Sequence, residues 1–144
     1  MCLIFFGIQQ HPDYKLIVAA NRDEFYNRPT LPAQWWEEKE VLAGTDIEAG
    51  GTWMGIHKNG KIAWVTNYRD IKNLKEVAPS RGKLVSDFLE NNDAAHDYLE
   101  KLLPHASTYN GFNLVVGNVN ELWYASNYKE GFEKITVGVH GLSN

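Results

Sequence analysis

Cysteine is almost absent from this chain of 144 residues, in which Cys2 is the sole example. A single cysteine excludes a disulfide within the chain, and this is typical of proteins from reducing compartments. The sequence also has no Asn-x-Ser/Thr acceptor for glycosylation. The apolar start at residues 3–6 lacks a basic n-region and is too short for a signal peptide or a membrane helix. These absences predict a cytoplasmic protein with no membrane span.

An excess of positive charge is also missing. Lys and Arg total 14 against 18 Asp and Glu, which gives a net charge of −4 and argues against a nucleic-acid partner. None of the five histidines stands at a metal-ligand spacing from another histidine or from Cys2. Internal repeats and low-complexity tracts are lacking. With 44% apolar and 22% charged residues, the composition predicts one globular domain over residues 1–144.

Two short apolar runs, at residues 2–9 and 15–21, flank the turn sequence QHPDY and predict a β-hairpin. If residues 10–14 form the loop, Gln9 lies opposite Lys15, and the same register places Cys2 opposite Arg22. A slip of one residue would place Asn21 or Asp23 there instead. Both runs are apolar on both faces, which predicts a sheet that is covered on both sides.

The segment 26–51 is rich in proline and glycine and is predicted to be mostly loop, with short strands at 34–36 and 41–43. A second hairpin follows, because Asn59 and Gly60 favour a two-residue type I′ turn. That turn pairs Lys58 with Lys61. It also places Thr52 opposite Asn67 at the open end of the hairpin.

Residues 80–104 follow the helical period and predict two helices, the first capped by Ser80 and the second by Asp93, with Pro104 ending the second. Apolar runs at 112–117, 121–126 and 132–138 predict further strands. This order of strands, helices and strands favours an α+β fold with packed sheets and helices on an outer face.

Cys2 has two interpretations. A lone cysteine in an apolar run is usually a small buried hydrophobe, and position alone favours that interpretation. However, methionine is normally removed before a small second residue, and removal would place the thiol of Cys2 beside a free α-amino group. Such an amine titrates near pH 8 and can accept the proton of its own side-chain nucleophile.

The motif NRDE, at residues 21–24, adds to the case for chemistry at Cys2. On its own it indicates a strand that has reached solvent. In the predicted register, however, Arg22 would favour the thiolate, and Asp23 or Glu24 would hold the α-amine. Asn67 ends a strand and could donate its amide to an oxyanion. Asn144 ends the chain, where a functional role is ordinarily discounted.

Several motifs together closely resemble the NRDE-motif family, the transport and Golgi organisation proteins and their bacterial relatives. The resemblance covers essentially the whole chain. It is carried by MCLIFF, LIVAANRDEFYNRP, GGTWMGIHKNGKIAWVTNYRD, PSRGKLVSDFL, GFNLVVG and HGLSN. That family is similar to the N-terminal nucleophile hydrolases, which form an αββα sandwich of two mainly antiparallel sheets. It looks most like the branch with an N-terminal cysteine, which includes bile salt hydrolases and penicillin V acylases.

The resemblance implies a role for each candidate residue in the hydrolysis of a non-peptide amide. Cys2 matches the nucleophile and Arg22 the arginine that follows the second strand. Asp23 and Glu24 share the acidic role, because the spacing differs from that of the acylases. Asn67 and Asn144 match the two asparagines that bind the oxyanion or the substrate.

The resemblance also implies that family members are longer and continue past the final Ser-Asn. We therefore expect this chain to be the N-terminal portion of a longer domain. A sandwich that is incomplete at its C-terminus should expose apolar sheet, which predicts a homodimer or poor solubility. The mechanism further requires removal of Met1, because a retained Met1 leaves no α-amine on Cys2.

Two functions are carried forward. The first is a cysteine amidohydrolase that acts on a small amide without a cofactor. The second is a non-catalytic carrier or interaction protein of the same family, associated with haem or lipid handling and with Golgi organisation, and haem would be a cofactor only here. An apolar pocket rimmed by Trp35, Trp36 or Trp53 would suit such an apolar ligand.

Overall fold

A computed structural model describes residues 2–144, which form ten β-strands and two α-helices. The strands are β1 (Leu3–Ile8), β2 (Leu16–Asn21), β3 (Thr30–Trp36), β4 (Val41–Asp46), β5 (Met54–His57), β6 (Ile62–Asn67), β7 (Phe112–Asn118), β8 (Glu121–Ser126), β9 (Phe132–Lys134) and β10 (Gly138–Ser143). The helices are α1 (Gly82–Glu90) and α2 (Ala95–Leu102), and short 3-10 helices span Glu37–Lys39 and Leu103–Thr108.

A three-stranded antiparallel sheet has the order β10-β1-β2. Leu3 pairs with Asn21 in β2 and with Ser143 in β10. One residue further along both pairings, Cys2 stands level with Arg22 on one side and with Asn144 on the other. The predicted hairpin register is therefore confirmed. The strand β10 was not predicted, since the last predicted strand was placed at 132–138 and only Phe132–Lys134 of it forms β9.

A seven-stranded antiparallel sheet has the order β3-β4-β5-β6-β7-β8-β9. The short strands predicted at 34–36 and 41–43 do form, within β3 and β4, but both strands are longer than predicted, so less of the segment 26–51 is loop than expected. The prolines that suggested a loop are tolerated because β3 is an edge strand, and its pairing shifts between Leu31 and Gln34, around Pro32. Proline has no backbone N–H to donate, and neither an edge position nor a bulge requires a hydrogen bond from that residue.

The register predicted for the second hairpin is wrong by one residue. Met54 pairs with Trp64, and the backbone N–H of His57 donates to Lys61 O at 2.9 Å. The loop therefore has three residues, and Gly60 takes a left-handed φ of +94° at its end. Asn-Gly serves this longer turn as readily as the predicted two-residue turn. Continued to the open end of the hairpin, this register sets Thr52 against Thr66 instead of Asn67.

Two apolar cores separate three layers, because side chains alternate between the two faces of the seven-stranded sheet. Trp64 and Val115 face the three-stranded sheet and pack with Ile4 and Phe6 of β1. Alternate residues of the same strands face α1 and α2. This second core contains Ala63, Val65, Leu114 and Val116 with Leu84, Val85, Phe88, Leu89 and Leu99 of the helices. The predicted α+β sandwich of two sheets with outer helices is confirmed.

The two helices form where predicted but without the predicted caps. No side chain caps the N-terminus of either one; Ser80 contributes only its carbonyl oxygen, which accepts a hydrogen bond from Lys83 N. The carboxylate of Asp93 accepts a hydrogen bond from Lys101 instead. The second helix ends at Leu102 and continues as a 3-10 turn that contains Pro104. In the described part of the chain, no helix has the length and apolar character needed to cross a membrane.

Gly51 allows the loop after β4 to lie directly against the start of α1. Its φ is +81°, and a Cβ at this position would lie 2.7 Å from the carbonyl oxygen of Gly82. That oxygen accepts a hydrogen bond from Thr52 N at 3.3 Å. The contact fixes the position of α1, and of Arg81 just before it, relative to the two sheets.

We expect Gly51→Ala to destabilise the protein more than Gly60→Ala. Both residues have left-handed φ angles, whose cost for an L residue is roughly 1–2 kcal/mol. Only Gly51 also faces a steric clash, because nothing lies within 4 Å of a Cβ at Gly60. Overpacking should add about 1–3 kcal/mol for Gly51→Ala. Thermal and denaturant unfolding of both variants checks this, and equal losses of stability would contradict it.

The outer face of the three-stranded sheet is exposed within residues 2–144, against the prediction of a sheet covered on both sides. Phe5, Ile17 and Val139 lie on this face with exposures of 52%, 44% and 70%. Alternation explains the difference, since every second residue of β1 points away from the inter-sheet core. Contiguous exposed apolar side chains of this kind favour association.

The homodimer predicted from the sequence would bury this face, so the double substitution Ile17→Thr with Val139→Thr should weaken it. Each side chain removed from an interface forfeits roughly 1.5–3 kcal/mol, so the association constant should fall at least tenfold. Sedimentation velocity over a concentration series measures the change. The control is Ile71→Thr with Val77→Thr, which removes similar side chains exposed in a loop. An equal effect of the control pair would contradict a specific role for this face.

Candidate functional site

A cavity of about 550 Å³ opens at the edge where β1 begins and β2 ends. Four of the predicted site residues line it together, namely Cys2, Arg22, Asp23 and Asn67. Asn144 is exposed and is not among the lining residues. Further charged or polar lining residues are Asn21, Glu24, Arg28, Asp46, Thr52, Ser80, Arg81 and Asn110, and apolar ones include Ile4, Trp53, Met54 and Val65.

The sulfur of Cys2 is held by the backbone of the NRDE motif. The N–H of Asp23 donates to Sγ at 3.3 Å, and the thiol donates to the carbonyl oxygen of Asp23 at 3.7 Å. Both contacts follow from the hairpin register, which brings the end of β2 level with Cys2. The sulfur is therefore half-buried, oriented and next to a cavity. The predicted removal of Met1 lies outside the described residues.

The pKa of the Cys2 thiol is raised above its usual value. Burial is the largest cause, since a thiolate loses hydration there. The positive charges of Arg22 and Arg81 lower the pKa, and the negative charge of Glu24 raises it. Burial and Glu24 together outweigh the two arginines and the positive charge of the chain's N-terminus, which also lowers the pKa. The arrangement keeps Cys2 a neutral thiol near pH 7, so the arginines alone do not activate it.

Arg22 is held by an aromatic ring and a carboxylate. Its guanidinium lies 4.3 Å from the ring centroid of Trp53, a cation–π distance. Its Nη2 atom is also 3.6 Å from Glu24. Glu24 in addition accepts a hydrogen bond from Phe25 N and lies 3.9 Å from Arg28. Glu24 thus pairs with two arginines, whereas Asp23 contacts Cys2 through its backbone.

Arg28 closes the wall of the cavity by joining the loop after β2 to the end of β4. Its Nε and Nη2 atoms donate to Oδ2 of Asp46 at 3.0 and 2.8 Å, and Nη1 donates to Glu48 at 3.3 Å. Burial alone would raise the pKa of Asp46, but the hydrogen bonds from Arg28 and from the backbone of Ala49 and Glu48 lower it. Arg28 is therefore a structural residue with its charge matched.

Asn67 and Asn144 occupy different positions relative to the cavity. Asn67 ends β6, and its carboxamide makes no hydrogen bond to another described residue while it lines the cavity. Asn144 follows β10, whose end is tied to the larger sheet by Asn113. The Nδ2 of Asn113 donates to Ser143 O and to Thr66 Oγ1, both at 3.2 Å. The residue next to Asn144 is thus anchored beside the site.

Arg81 was not predicted as a site residue, although its motif PSRG was noted. It stands at the start of α1, and its Nη1 donates to Gly111 O at 2.9 Å. Burial is the main reason that its pKa is lowered. Sequence periodicity could not place it, because Arg81 reaches the cavity through the packing of Gly82 against the loop at Gly51.

Metal-binding side chains do not converge on this cavity within residues 2–144. The one described group with suitable ligands comprises His96, Asp97 and Glu100, whose ligand atoms lie within 4.8 Å of one another. All three are exposed on α2, and none lines the cavity. Exposed acidic groups of this kind are common on helix surfaces, so the group carries no functional argument.

We expect alkylation of Cys2 by iodoacetamide to show a pKa above that of an ordinary thiol. Glu24→Gln should lower that pKa by removing a negative neighbour, and Arg22→Gln should raise it by removing a positive one. The rate constant against pH, followed by intact mass, measures each shift, and Cys2 is the only thiol that can react. A pKa shift in the opposite direction for either variant would contradict the effects assigned to the charges of Glu24 and Arg22.

Comparison with known proteins identifies the family. The family model described as Transport and Golgi organisation 2 matches residues 1–144. The Transport and Golgi organization 2 homologs of Mus musculus and Homo sapiens are each 39% identical over 158 residues, covering 100% of this chain and 57% of the relative. The Drosophila melanogaster Transport and Golgi organization protein 2 is 38% identical over 128 residues, or 80% of this chain and 45% of the relative.

The chain thus spans little more than half the length of the mammalian relatives that it matches, 57% in each case. The family match nevertheless runs from residue 1 to residue 144 and includes every residue that lines the cavity beside Cys2. The chain belongs to the Transport and Golgi organisation 2 family.

Proposed function

We propose that the cavity beside Cys2 hydrolyses a small non-peptide amide, with Cys2 as an N-terminal nucleophile. The observation that carries the proposal is the position of Sγ, which receives the Asp23 N–H at 3.3 Å in a cavity shared with Arg22 and Asn67. A merely structural cysteine in a strand would lie within an apolar core. Here the thiol borders a charged cavity large enough for a small substrate.

The proposed reaction has two steps: the first forms a bond between the sulfur of Cys2 and the acyl carbon, and the second breaks it. The sulfur attacks the amide carbonyl carbon while the thiol proton passes to a base and then to the leaving nitrogen. The C–N bond breaks, an amine leaves, and an acyl-thioester remains on Cys2. Water then attacks the thioester, the C–S bond breaks, and a carboxylic acid leaves as Cys2 regains its proton.

A base is required, because the pKa of Cys2 is raised despite two neighbouring arginines. The α-amino group of Cys2 would supply that base after removal of Met1, since such amines titrate near pH 8. In this proposal, the carboxylate of Asp23 or Glu24 holds the amine. The motif NRDE thus contributes a backbone donor to the sulfur and charged groups around it.

The oxyanion formed by the attack needs hydrogen-bond donors. Asn67 meets this requirement best, because its carboxamide is on the cavity wall and makes no hydrogen bond within residues 2–144. We assign the second donor role to Asn144, which follows the anchored Ser143 on the strand next to Cys2. A movement of Asn144 toward the cavity would be needed for this role.

The alternative is a carrier that binds a ligand in the same cavity without chemistry. The names of the relatives refer to transport and Golgi organisation, and a thiol with a raised pKa suits binding without attack. However, only Trp53 of the three tryptophans considered for an apolar pocket lines this cavity. The many charged lining residues favour a small polar amide over haem or lipid.

Three other interpretations of the sequence belong to the same proposal. A location in the cytoplasm is inferred from the lone cysteine. Residues 1–144 are interpreted as a single domain, and the exposed sheet face is interpreted as the surface of a homodimer. All three are proposed together with the activity.

We expect protein without Met1 to be acylated at Cys2 by p-nitrophenyl acetate in a burst of one equivalent, followed by turnover. Asn67→Ala should slow acylation by roughly 10²–10³-fold, the usual loss for one oxyanion donor. Intact mass shows both the loss of Met1 and the acetyl group on Cys2. The matched control is Asn92→Ala, an exposed asparagine whose side chain makes no hydrogen bond among the described residues.

Acylation no faster than that of glutathione, or protein that retains Met1 throughout, would overturn the hydrolase proposal. Titration with haem, followed by absorbance, then tests the alternative directly. Saturable binding that Trp53→Ala weakens would support a carrier. Equal acylation rates for Asn67→Ala and the parent protein would remove Asn67 from the proposed oxyanion site.

A further inference from the structure

The three arginines of the cavity differ in what neutralises them. Arg28 is paired with Asp46 and Glu48 at 2.8 and 3.3 Å. Arg22 shares Glu24 at 3.6 Å and stacks on Trp53. Arg81 has no carboxylate within 4 Å in the part of the chain that the structure describes. The charge of Glu24 acts on Arg81 from beyond that distance, but no described carboxylate pairs with Arg81 directly.

The guanidinium of Arg81 is held in place by a neutral partner. Its Nη1 donates to Gly111 O, which also accepts a hydrogen bond from Tyr68 N at 2.8 Å. The remaining N–H groups of the side chain make no hydrogen bond to described residues. Burial lowers the pKa of Arg81, which shows that its charge is poorly hydrated. An arginine stays protonated at neutral pH even so.

Holding a half-buried cation without a directly paired counter-charge is unfavourable unless a ligand supplies one. The planar guanidinium offers parallel N–H donors that match a carboxylate. The other charges of the cavity also limit the ligand. Three arginines and the three carboxylates of Asp23, Glu24 and Asp46 line the cavity, so it has no excess of positive charge for a doubly charged phosphate.

We propose that Arg81 binds a carboxylate of the substrate, so that the amide cleaved at Cys2 carries an acidic group close to the scissile bond. This inference rests on the proposed function and names its substrate class. Arg81 acts as a specificity-determining residue, because it lines the same cavity as Cys2 and lies within reach of its charge. Arg22 and Arg28 are already engaged by protein carboxylates and would not compete for this group.

Two alkylating reagents of nearly equal size test the proposal, since iodoacetate is anionic and iodoacetamide is neutral. In both reactions the thiolate of Cys2 displaces iodide and forms one S–C bond. Loss of the charge at Arg81 would also change the fraction of Cys2 that is thiolate. That fraction affects both rate constants equally, so their ratio does not depend on it. Intact mass follows the modification of Cys2, the only thiol present.

We expect the ratio of iodoacetate to iodoacetamide rates to exceed that of glutathione by about tenfold in the parent protein. Arg81→Gln should return the ratio to that of glutathione. Arg81→Lys, which keeps the charge but loses the fork of donors, should give an intermediate ratio. The matched control is Arg69→Gln, because Arg69 is exposed and does not line the cavity.

A parent ratio equal to that of glutathione would overturn the proposal, as would an equal loss in Arg81→Gln and Arg69→Gln. Thermal unfolding shows whether Arg81→Gln is folded, and if it is not, the Arg81→Lys ratio decides. The outcome for the nucleophile is separate. Slow absolute rates with both reagents, in protein without Met1, would count against Cys2 as a nucleophile but leave the ratio to be measured.

Discussion

The pairing of β1 with a strand on each side determines what surrounds Cys2. Leu3 pairs with Asn21 in β2 and with Ser143 in β10. Because side chains alternate, a slip of one residue in either pairing would turn Ile4 and Phe6 out of the inter-sheet core. The same apolar packing that stabilises the sandwich therefore holds Arg22 and Asn144 beside the thiol. Stability and site geometry depend on one register.

A second constraint comes from outside that sheet. The contact between Gly51 and Gly82 places Arg81 at the cavity, and burial there has opposite effects on two groups. It raises the pKa of Cys2 and lowers that of Arg81, so both ionised forms are disfavoured. A charged ligand or an added base would relieve this cost. The cavity is thus suited to the charged ligand and the added base that the proposed function requires.

Local patterns predicted the parts of the fold that depend on neighbouring residues. The first hairpin was placed correctly because the register that takes residues 10–14 as the loop is the one that forms, whereas Asn59-Gly60 closes a three-residue loop in place of the predicted two-residue turn. The edge strand β3 was predicted to be too short, because proline interrupts a strand only where a backbone N–H must donate a hydrogen bond. The strand β10 and Arg81 were missed because each is positioned by contacts across the chain. The position of Cys2 opposite Arg22 could be predicted, because it follows from strand pairing. The raised pKa of Cys2 could not, because it depends on how deeply the folded chain buries the thiol.

The partner strands of β1 lie at very different distances along the chain. β2 can pair as soon as the first hairpin has formed, but β10 joins only when residues 138–143 are available. Contacts of such high sequence separation form late in folding, because loop closure must precede them. During synthesis, Cys2 is therefore made well before its second neighbouring strand can pair with β1. Until that pairing forms, the thiol lacks part of the buried surroundings that raise its pKa in the folded chain.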